Sequence, residues 1–304
     1  MALKVFTFLA PFIIFYHQIS LLKLSYSNLK DKAPIGIFDS GYGGLTVFKE
    51  IKKQLPQYDY LYMGDNARAP YGTRSFDTVY KYTLQCVRWL FEKGCPLVIL
   101  ACNTASAKAL RNIQQLNLQY ITHPDHRVLG VIRPTSETIG KFTITNHIGL
   151  LATSGTVASE SYQIEIKKFW PLAKLYQQAC PMWVPLIENN EYNSAGARYF
   201  FKKDIDTLFR QSADIDTILL GCTHYPVLTD ILKELIPKSV QLISQDTIIA
   251  ESLKDYLKRH VDMDAKISKD GAVHFYTTGN ESDFNVHAPL FFGESVVSEH
   301  IELE

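Results

Sequence analysis

Two cysteines, Cys102 and Cys222, share a sequence setting that suits chemistry on a bound ligand. Each follows a short apolar run, at 96–100 and at 217–220, and each precedes two residues with hydrogen-bonding side chains. The pattern predicts a β-strand, a cysteine at its carboxyl end, and then a helix. Ligands bind at the carboxyl ends of strands in open α/β sheets, and a helix amino terminus favours the thiolate. We therefore expect the two thiols to serve one site.

The spacing of these two thiols favours one kind of cysteine chemistry over three others. A disulfide oxidoreductase normally carries C-x-x-C, which this sequence lacks. A metal site would need further ligands, and His224 is the single adjacent candidate. A thiol protease or amidase can be drawn with one cysteine and His224, but the second cysteine would then be idle. Two acid/base groups flanking one carbon use both thiols: one thiolate removes the α-proton of an amino acid, and the opposite thiol returns a proton with inversion, without a cofactor.

Such a reaction needs one thiolate and one thiol, so each cysteine requires a neighbour that tunes its pKa. His224 lies two residues after Cys222, and Asp39 ends a predicted strand that can neighbour Cys102. Position alone equally allows Asp39 to be a helix-capping residue. Hydroxyl and amide groups near the strand ends would hold the ammonium and carboxylate groups of the substrate, and they belong to Ser40, Asn103, Thr104 and Thr223.

The composition is that of a neutral globular enzyme for small molecules. The 304 residues, 46% of them apolar and 20% charged, suffice for two domains with separate cores. The 31 basic residues balance the 31 acidic ones without a basic tract, so no nucleic-acid partner is expected. The five cysteines lack disulfide-framework or zinc spacing, which predicts free thiols in a reducing compartment and no metal. Three of them are interpreted as buried or incidental thiols: Cys86, Cys95 and Cys180.

Strands and helices alternate from residue 35 onward, which predicts the α/β class with mostly parallel sheets flanked by helices. In the first half the predicted strands are 35–38, 58–63, 96–100 and 128–132, the predicted helices are 45–55, 76–93 and one ending near 116, and 118–127 is irregular. In the second half the predicted strands are 147–151, 217–220 and 240–243, the predicted helices are 157–169, 195–211 and one ending near 259, and 180–190 is a proline-punctuated loop.

The two halves repeat one plan, which favours an internal duplication. Each contains a strand followed by a small polar loop, at 39–44 and at 153–156, and later a strand that ends in cysteine. A crossover at Arg133-Pro134 is predicted to begin the second domain. We assign the first domain to 35–132 plus 245–304, because 273–277 and the last amphipathic stretch are expected to return to it, and the second domain to 133–244.

Residues 1–34 form an apolar and aromatic extension with three competing interpretations: an export signal, an interfacial membrane anchor, or sequence upstream of the true start of the enzyme. A lone Lys4 ahead of the apolar run and the lack of a clear cleavage site weaken the first. Pro11, His17 and Gln18 make a poor membrane span, so no stable span is expected. We favour the third, since the cysteine chemistry suits a reducing cytosol, and we predict a cytoplasmic protein.

From about residue 35 to 303 the chain closely resembles the glutamate racemase family, cofactor-independent enzymes that make D-glutamate for peptidoglycan. Several independent motifs occur in the family's order, which makes the resemblance specific. They are Gly36-Ile-Phe-Asp-Ser-Gly-Tyr-Gly-Gly-Leu-Thr46, Gly64-Asp65 with Pro70-Tyr71-Gly72, Ala101-Cys-Asn-Thr-Ala-Ser106, Val184-Pro-Leu-Ile-Glu188 and Leu220-Gly-Cys-Thr-His-Tyr-Pro226.

The resemblance implies two similar α/β domains that face each other, with the active site in the cleft between them and no cofactor. It implies that Cys102, assisted by Asp39, acts on D-glutamate, and that Cys222, assisted by His224, acts on L-glutamate. It also implies a set of substrate contacts, with a less defined role for the last: Asp39, Ser40, Tyr71, Gly72, Asn103, Thr104, Thr223, His224 and Glu188.

Two alternatives to glutamate racemisation stay open at this point. Aspartate racemases of the same superfamily resemble this chain around both cysteines but typically have glutamate at the position of His224, which favours glutamate as the substrate here. A non-catalytic amino-acid-binding protein that keeps the cleft is the other alternative, and it would retain both thiols without use. We predict a homodimer with a small-molecule substrate.

Overall fold

Two parallel β-sheets organise the chain. The computed structural model describes residues 33–121 and 123–303, and ten strands lie within those ranges. Each strand pairs in parallel with its neighbours. The strands are β1 (Ile35–Asp39), β2 (Tyr60–Gly64), β3 (Leu97–Leu100), β4 (Arg127–Gly130), β5 (His147–Ala152), β6 (Lys174–Ala179), β7 (Thr217–Gly221), β8 (Gln241–Ile243), β9 (Val273–Thr277) and β10 (Ser298–His300).

The two sheets share one strand order. The first sheet runs β10-β9-β2-β1-β3-β4 and the second runs β6-β5-β7-β8. In the first sheet β1 lies between β2 and β3, and β4 lies beyond β3. In the second sheet β5 lies between β6 and β7, and β8 lies beyond β7. Cys102 follows the third strand of the first sheet, and Cys222 follows the third strand of the second. This agreement confirms the predicted fold class of two similar α/β units and supports an internal duplication. The exact domain boundaries remain a prediction.

Helices cover the sheets, and several begin at a side chain that caps them. Ser75, Thr153 and Ser194 each accept a hydrogen bond from the backbone N–H three residues later. The α-helices are α1 (Gly44–Gln54), α2 (Phe76–Glu92), α3 (Asn103–Lys108), α4 (Leu110–Asn112), α5 (Leu118–Ile121), α6 (Ile132–Thr138), α7 (Ser154–Ala158), α8 (Ser161–Phe169), α9 (Trp183–Glu188), α10 (Ala195–Gln211), α11 (Thr229–Leu235), α12 (Asp246–Arg259), α13 (Val261–Lys266) and α14 (Glu281–Phe292), with 3₁₀ turns at Asn66–Arg68, Ile139–Lys141 and Tyr225–Leu228 and a π-helical segment at Ile113–Asn117.

Three strands that lead to the site residues are buried on both faces. All residues of β1, β3 and β7 are buried, which explains why their sequences are apolar runs without a polar alternation. Aromatic side chains fill the space between the first sheet and its helices, where Phe48 of α1 packs on Tyr60, Tyr62 and Phe292. This packing fixes the position of the strand ends that carry the site.

Several sequence-based boundaries are wrong because a local interruption divides an element. The helix predicted to end near 116 breaks at Ala109 and continues as α4, the π-helical segment and α5, so part of the supposedly irregular 118–127 is helical. The strand predicted at 128–132 ends at Gly130. The helix predicted at 157–169 is two helices, separated where Glu160 takes a left-handed conformation with φ of 54°.

Two prolines lie inside helices where the sequence analysis expected irregular chain. Pro134 is in the first turn of α6, so Arg133-Pro134 is not an extended crossover. Pro185 is in the first turn of α9, within the segment interpreted as a loop. Proline is tolerated in the first turn because the N–H that it lacks has no partner inside the helix there. Glu188 is consequently the last residue of a helix, which gives its carboxylate a defined position.

The interpretations of the amino-terminal extension fall on 1–34, of which residues 1–32 lie outside the described part. Among the described residues, no helix is both long and apolar enough to cross a membrane.

Candidate active site

A cavity of about 140 Å³ opens where the carboxyl ends of strands from both sheets meet. Residues that follow β1, β3, β5, β6 and β7 line it, as expected for a ligand site in an α/β fold. Ten of the eleven residues that the sequence analysis selected are part of this lining: Ser40, Tyr71, Gly72, Cys102, Asn103, Thr104, Glu188, Cys222, Thr223 and His224.

Cys102 caps the amino terminus of α3. Its Sγ accepts a hydrogen bond from the backbone N–H of Ala105 at 3.4 Å and lies 3.4 Å from the hydroxyl of Ser40. Burial and the nearby carboxylate of Asp39 raise the pKa of Cys102 to about 12, although the Ser40 and Ala105 hydrogen bonds oppose this. The helix terminus therefore favours the thiolate of Cys102, as expected, but desolvation outweighs this contribution.

Asp39 is the one selected residue that does not line the cavity among the described residues. It lies immediately before Ser40, is buried, and accepts a hydrogen bond from the backbone N–H of Gly41 at 2.9 Å through Oδ2. Oδ1 has no hydrogen-bond partner within the described chain. Burial raises the pKa of Asp39, while His224 and the N–H groups of Gly41 and Gly44 act in the opposite direction. Asp39 thus influences Cys102 through its charge, and its assistance of proton transfer remains a prediction.

Cys222 is part of a chain of polar groups that continues through His224 to Glu188. The Sγ of Cys222 lies 3.9 Å from Nδ1 of His224, and Nε2 of the same ring lies 2.9 Å from Oε1 of Glu188. Burial disfavours the imidazolium, but Cys222 and Glu188 together raise the pKa of His224 to about 10. These two partners therefore favour the imidazolium form of His224, which can donate a proton toward the sulfur. A turn and the 3₁₀ segment Tyr225–Leu228 follow Cys222 in place of the predicted helix start.

Replacing Glu188 with glutamine is expected to lower the pKa of His224. The substitution keeps the size of the side chain but removes the negative charge that stabilises the imidazolium, so we expect the pKa to fall by roughly one to three pH units. His224 would then lose its proton at a lower pH, and any rate that depends on the imidazolium would decline earlier on the alkaline side. NMR titration of the His224 ring and the pH dependence of turnover measure this.

Glu191→Gln is the matched control for this titration, because Glu191 is an exposed carboxylate three residues away. It should leave the pKa of His224 unchanged. If Glu188→Gln titrated like the parent protein, Glu188 would not be the group that holds the proton on His224.

Tyr71 and Gly72 line the cavity from the loop between β2 and α2. The hydroxyl of Tyr71 donates a hydrogen bond to the buried carboxylate of Asp65, which also pairs with Arg68 at 2.7 Å. The hydroxyl proton of Tyr71 is therefore held by Asp65. The carbonyl of Gly72 accepts a hydrogen bond from the N–H of Gly155 at 2.8 Å, which joins the loop to the start of α7. Both predicted substrate contacts thus have structural partners of their own.

The polar residues that follow the two cysteines are held by partners from the opposite half of the chain. Thr104 lies 2.9 Å from Thr153 through their hydroxyl groups. The carbonyl of Thr223 accepts a hydrogen bond from the hydroxyl of Thr46 at 3.0 Å. Asn103 donates to Gln245 at 2.8 Å. These hydrogen bonds hold the segments that follow β3 and β7 in place around the cavity.

Gly43 leaves the space that His224 and Thr223 occupy. A Cβ atom at this position would lie 2.3 Å from Nδ1 of His224 and 2.4 Å from Oγ1 of Thr223. The backbone of Gly43 is helical, so alanine suits its conformation, and the conflict is purely steric. Gly43→Ala should displace the imidazole beside Cys222 and lower turnover by about 10²-fold, since an ångström-scale misplacement near reacting groups has an effect of that order.

Gly196→Ala is the control for Gly43→Ala, measured by the same steady-state assay of turnover. The Cβ atom introduced at Gly196 would have its nearest neighbour at 3.9 Å, the hydroxyl of Ser194, so turnover should not change. Full turnover by Gly43→Ala would show that the position of His224 does not matter.

Sequence reasoning missed the contribution of the loop after β5. Thr153 and Ser154 line the cavity at the position equivalent to Asp39-Ser40 in the first sheet. The repeated strand-and-loop plan could have identified them. Cys180 also lines the cavity, with its thiol 3.6 Å from the carbonyl of Gln178. Within the described residues all five cysteines are free and buried, so the interpretation of Cys180 as a buried thiol is correct, although it omitted this position beside the cavity.

The arrangement is that of a racemase that works on acidic amino acids or similar small molecules. The model of the Asp/Glu/hydantoin racemase family matches residues 35–253, and the chain belongs to this family. A glutamate racemase from Thermoanaerobacter pseudethanolicus is 35% identical over 275 residues, which cover 90% of this chain and 99% of that protein.

Solved structures agree with this assignment. A glutamate racemase isoform from Bacillus anthracis has a TM-score of 0.80 and 32% identity, covering 90% of this chain and 98% of that chain. The glutamate racemase of Francisella tularensis, solved in complex with D-glutamate, has a TM-score of 0.78 and 29% identity, covering 90% of this chain and 99% of that chain. The family resemblance that the motifs indicated is confirmed.

Proposed function

We propose that the protein is a cofactor-independent racemase that interconverts L-glutamate and D-glutamate, with Cys102 and Cys222 as the two bases. One observation carries the proposal: two thiols from equivalent positions of two similar sheets line the same small cavity. A cavity of about 140 Å³ suits one small amino acid better than a peptide. Similarity to glutamate racemases over nine-tenths of the chain supports glutamate as that amino acid.

In the direction from L- to D-glutamate, the thiolate of Cys222 removes the α-proton while the thiol of Cys102 donates a proton to the opposite face. The α-carbon loses one C–H bond and gains another, so the substrate changes configuration and not composition. The enzyme is left with Cys222 as the thiol and Cys102 as the thiolate. The reverse reaction starts from that state. Proton exchange with solvent restores the first one.

The charges around the two sulfurs favour the state from which the L- to D-glutamate direction starts. Burial and Asp39 raise the pKa of Cys102 to about 12, so this residue begins as a proton donor. The imidazolium of His224 beside Cys222 stabilises negative charge on that sulfur. Removing an α-proton leaves negative charge on the substrate, and the hydroxyl groups of Ser40, Thr104 and Thr153 are near enough to the cavity to bind its polar groups.

Circular dichroism of L-glutamate and of L-aspartate, each incubated with purified protein, tests the substrate assignment. Racemisation of glutamate but not aspartate should occur, seen as loss of the optical signal. Racemisation of aspartate alone would support the alternative substrate. No change with either amino acid, together with measurable binding, would support the non-catalytic alternative. D-Glutamate at equilibrium should be verified by chiral chromatography.

Three further proposals accompany this function. The D-glutamate would be used for peptidoglycan synthesis, the protein would act in the cytoplasm, and two copies would form a homodimer. Growth of a gene-deletion strain with and without D-glutamate, cell fractionation, and sedimentation analysis test these three in turn. The contacts with the small-molecule substrate do not depend on any of them.

A further inference from the structure

Three buried polar side chains form a closed ring of hydrogen bonds beside the cavity. The hydroxyl of Tyr162 donates to Oδ1 of Asn103 at 2.6 Å, Nδ2 of Asn103 donates to Oε1 of Gln245 at 2.8 Å, and Nε2 of Gln245 donates back to the Tyr162 oxygen. The three residues are 0%, 2% and 3% exposed, in the order Tyr162, Asn103, Gln245. Each member therefore donates once and accepts once within the ring, which satisfies buried groups that would otherwise be costly.

The ring couples the orientation of the Asn103 amide to that of Gln245. Because Tyr162 donates to the amide oxygen and Gln245 offers its own oxygen as an acceptor, reversing Asn103 alone would lose both contacts, and the ring survives only if both amides reverse together. Burial raises the pKa of Tyr162 above its usual value, so the hydroxyl keeps the proton that it donates. The Nδ2 group has two hydrogen atoms, and the ring uses one of them.

Asn103 is the ring member that also lines the cavity, directly after Cys102 in the chain. Among the described residues Tyr162 and Gln245 do not belong to the lining. Tyr162 lies on α8 after the first strand of the second sheet, and Gln245 lies just before α12. The bonds join residues 59, 142 and 83 positions apart, so elements from both halves hold this one amide.

We propose that Tyr162 and Gln245 are positioning residues that orient the Asn103 amide so that its second N–H binds an anionic oxygen of the substrate, such as a carboxylate. Neither residue touches the substrate. The inference depends on the proposed function, because it assigns to Asn103 a contact with the acidic amino acid that the cavity would hold. A donor that is already oriented binds more tightly than a mobile one, because its side chain loses its conformational freedom during folding and not during binding.

Tyr162→Phe and Gln245→Met each remove two of the three ring bonds, one of which holds the Asn103 amide. Both variants should raise KM for L-glutamate about tenfold, the effect expected for a weakened hydrogen bond to a charged group, with kcat within about threefold of the parent value. The double variant should be little worse than either single variant, because the first substitution already opens the ring. A merely structural role would give additive losses of stability and no selective change in KM.

Tyr80→Phe is the matched control, because Tyr80 donates to Oδ1 of Asn117 at the same 2.6 Å distance but does not line the cavity in the described chain. It should leave KM unchanged. All variants are compared at a temperature where circular dichroism shows them folded, and if Tyr162→Phe does not fold, Gln245→Met decides the question.

An unchanged KM in a folded variant, or a loss confined to kcat, would overturn the positioning role while leaving the proposed function intact. Failure of the parent protein to racemise glutamate would instead contradict the proposed function. Isothermal titration with L-glutamate would then test the positioning role independently of turnover. Weaker binding by Tyr162→Phe than by Tyr80→Phe would support the positioning role, and equal binding would contradict it.

Discussion

Replacing Cys102 or Cys222 with serine is expected to abolish racemisation of glutamate in either direction. Inversion needs removal of the α-proton on one face and its return on the other, so one remaining thiol cannot complete the reaction. A serine hydroxyl keeps a similar shape but is a far weaker acid, and it cannot serve as the base at neutral pH. Steady-state assays from both enantiomers, with chiral detection of the product, measure the loss.

Cys95→Ser is the control for these two variants. Cys95 is also buried but does not line the cavity in the described part of the chain. It should retain turnover in a folded protein. Near-normal turnover by Cys102→Ser or Cys222→Ser would mean that the two sulfurs are not the acid/base pair.

Replacing His224 with asparagine should lower turnover by about 10²–10⁴-fold, the usual contribution of a positioned acid/base group. The imidazolium next to Cys222 is lost, and so is the bond to Glu188, whose carboxylate would then face the thiol without a cation between them. Both changes disfavour negative charge on Cys222. Turnover from L-glutamate, measured between pH 6 and 10, should fall across the whole range.

The control for the histidine variant is His274→Asn, an exposed position on β9. It should have no effect on turnover. An unchanged rate for His224→Asn would remove His224 from the mechanism and would leave the raised pKa of its ring without a role in catalysis.

The elements that carry the cysteines could be predicted because their sequences combine several local signals. β3 and β7 are apolar runs that end in a small residue and then cysteine, and the runs are apolar because both faces of a parallel strand are buried. The helix predicted at 195–211 was confirmed without change, since a serine cap precedes a regular amphipathic stretch. From these elements the position of each thiol at the carboxyl end of a strand followed directly.

Local sequence could not reveal β6 or the course of 180–190. β6 (Lys174–Ala179) mixes polar and apolar residues and is only partly buried, because the strand is at the edge of the second sheet. No continuous apolar run therefore marks it. The prolines of the next segment suggested a loop, but Pro185 occupies a helical first turn where its missing N–H costs nothing. The helix so formed places Glu188 beside His224.

The partners of the site residues depend on the tertiary fold and lie far away in sequence. Glu188 and His224 are 36 positions apart, and Asn103 and Gln245 are 142 positions apart. No periodicity or spacing within one element encodes such pairs. The resemblance to a family identified the residues around the cavity. The structure was needed to show that Ser40 contacts Cys102 directly and that Asp39, unlike Ser40, is not part of the cavity lining.

Tracking the α-hydrogen during the first turnovers in heavy water would examine the paired thiols most directly. Starting from protiated L-glutamate, mass spectrometry of the separated enantiomers should find deuterium in the new D-glutamate while the recovered L-glutamate is still protiated, because one sulfur takes the original proton and the other supplies a solvent-derived deuteron. D-Glutamate that retained the original proton, or early labelling of both enantiomers to the same extent, would mean that a single group acts on both faces.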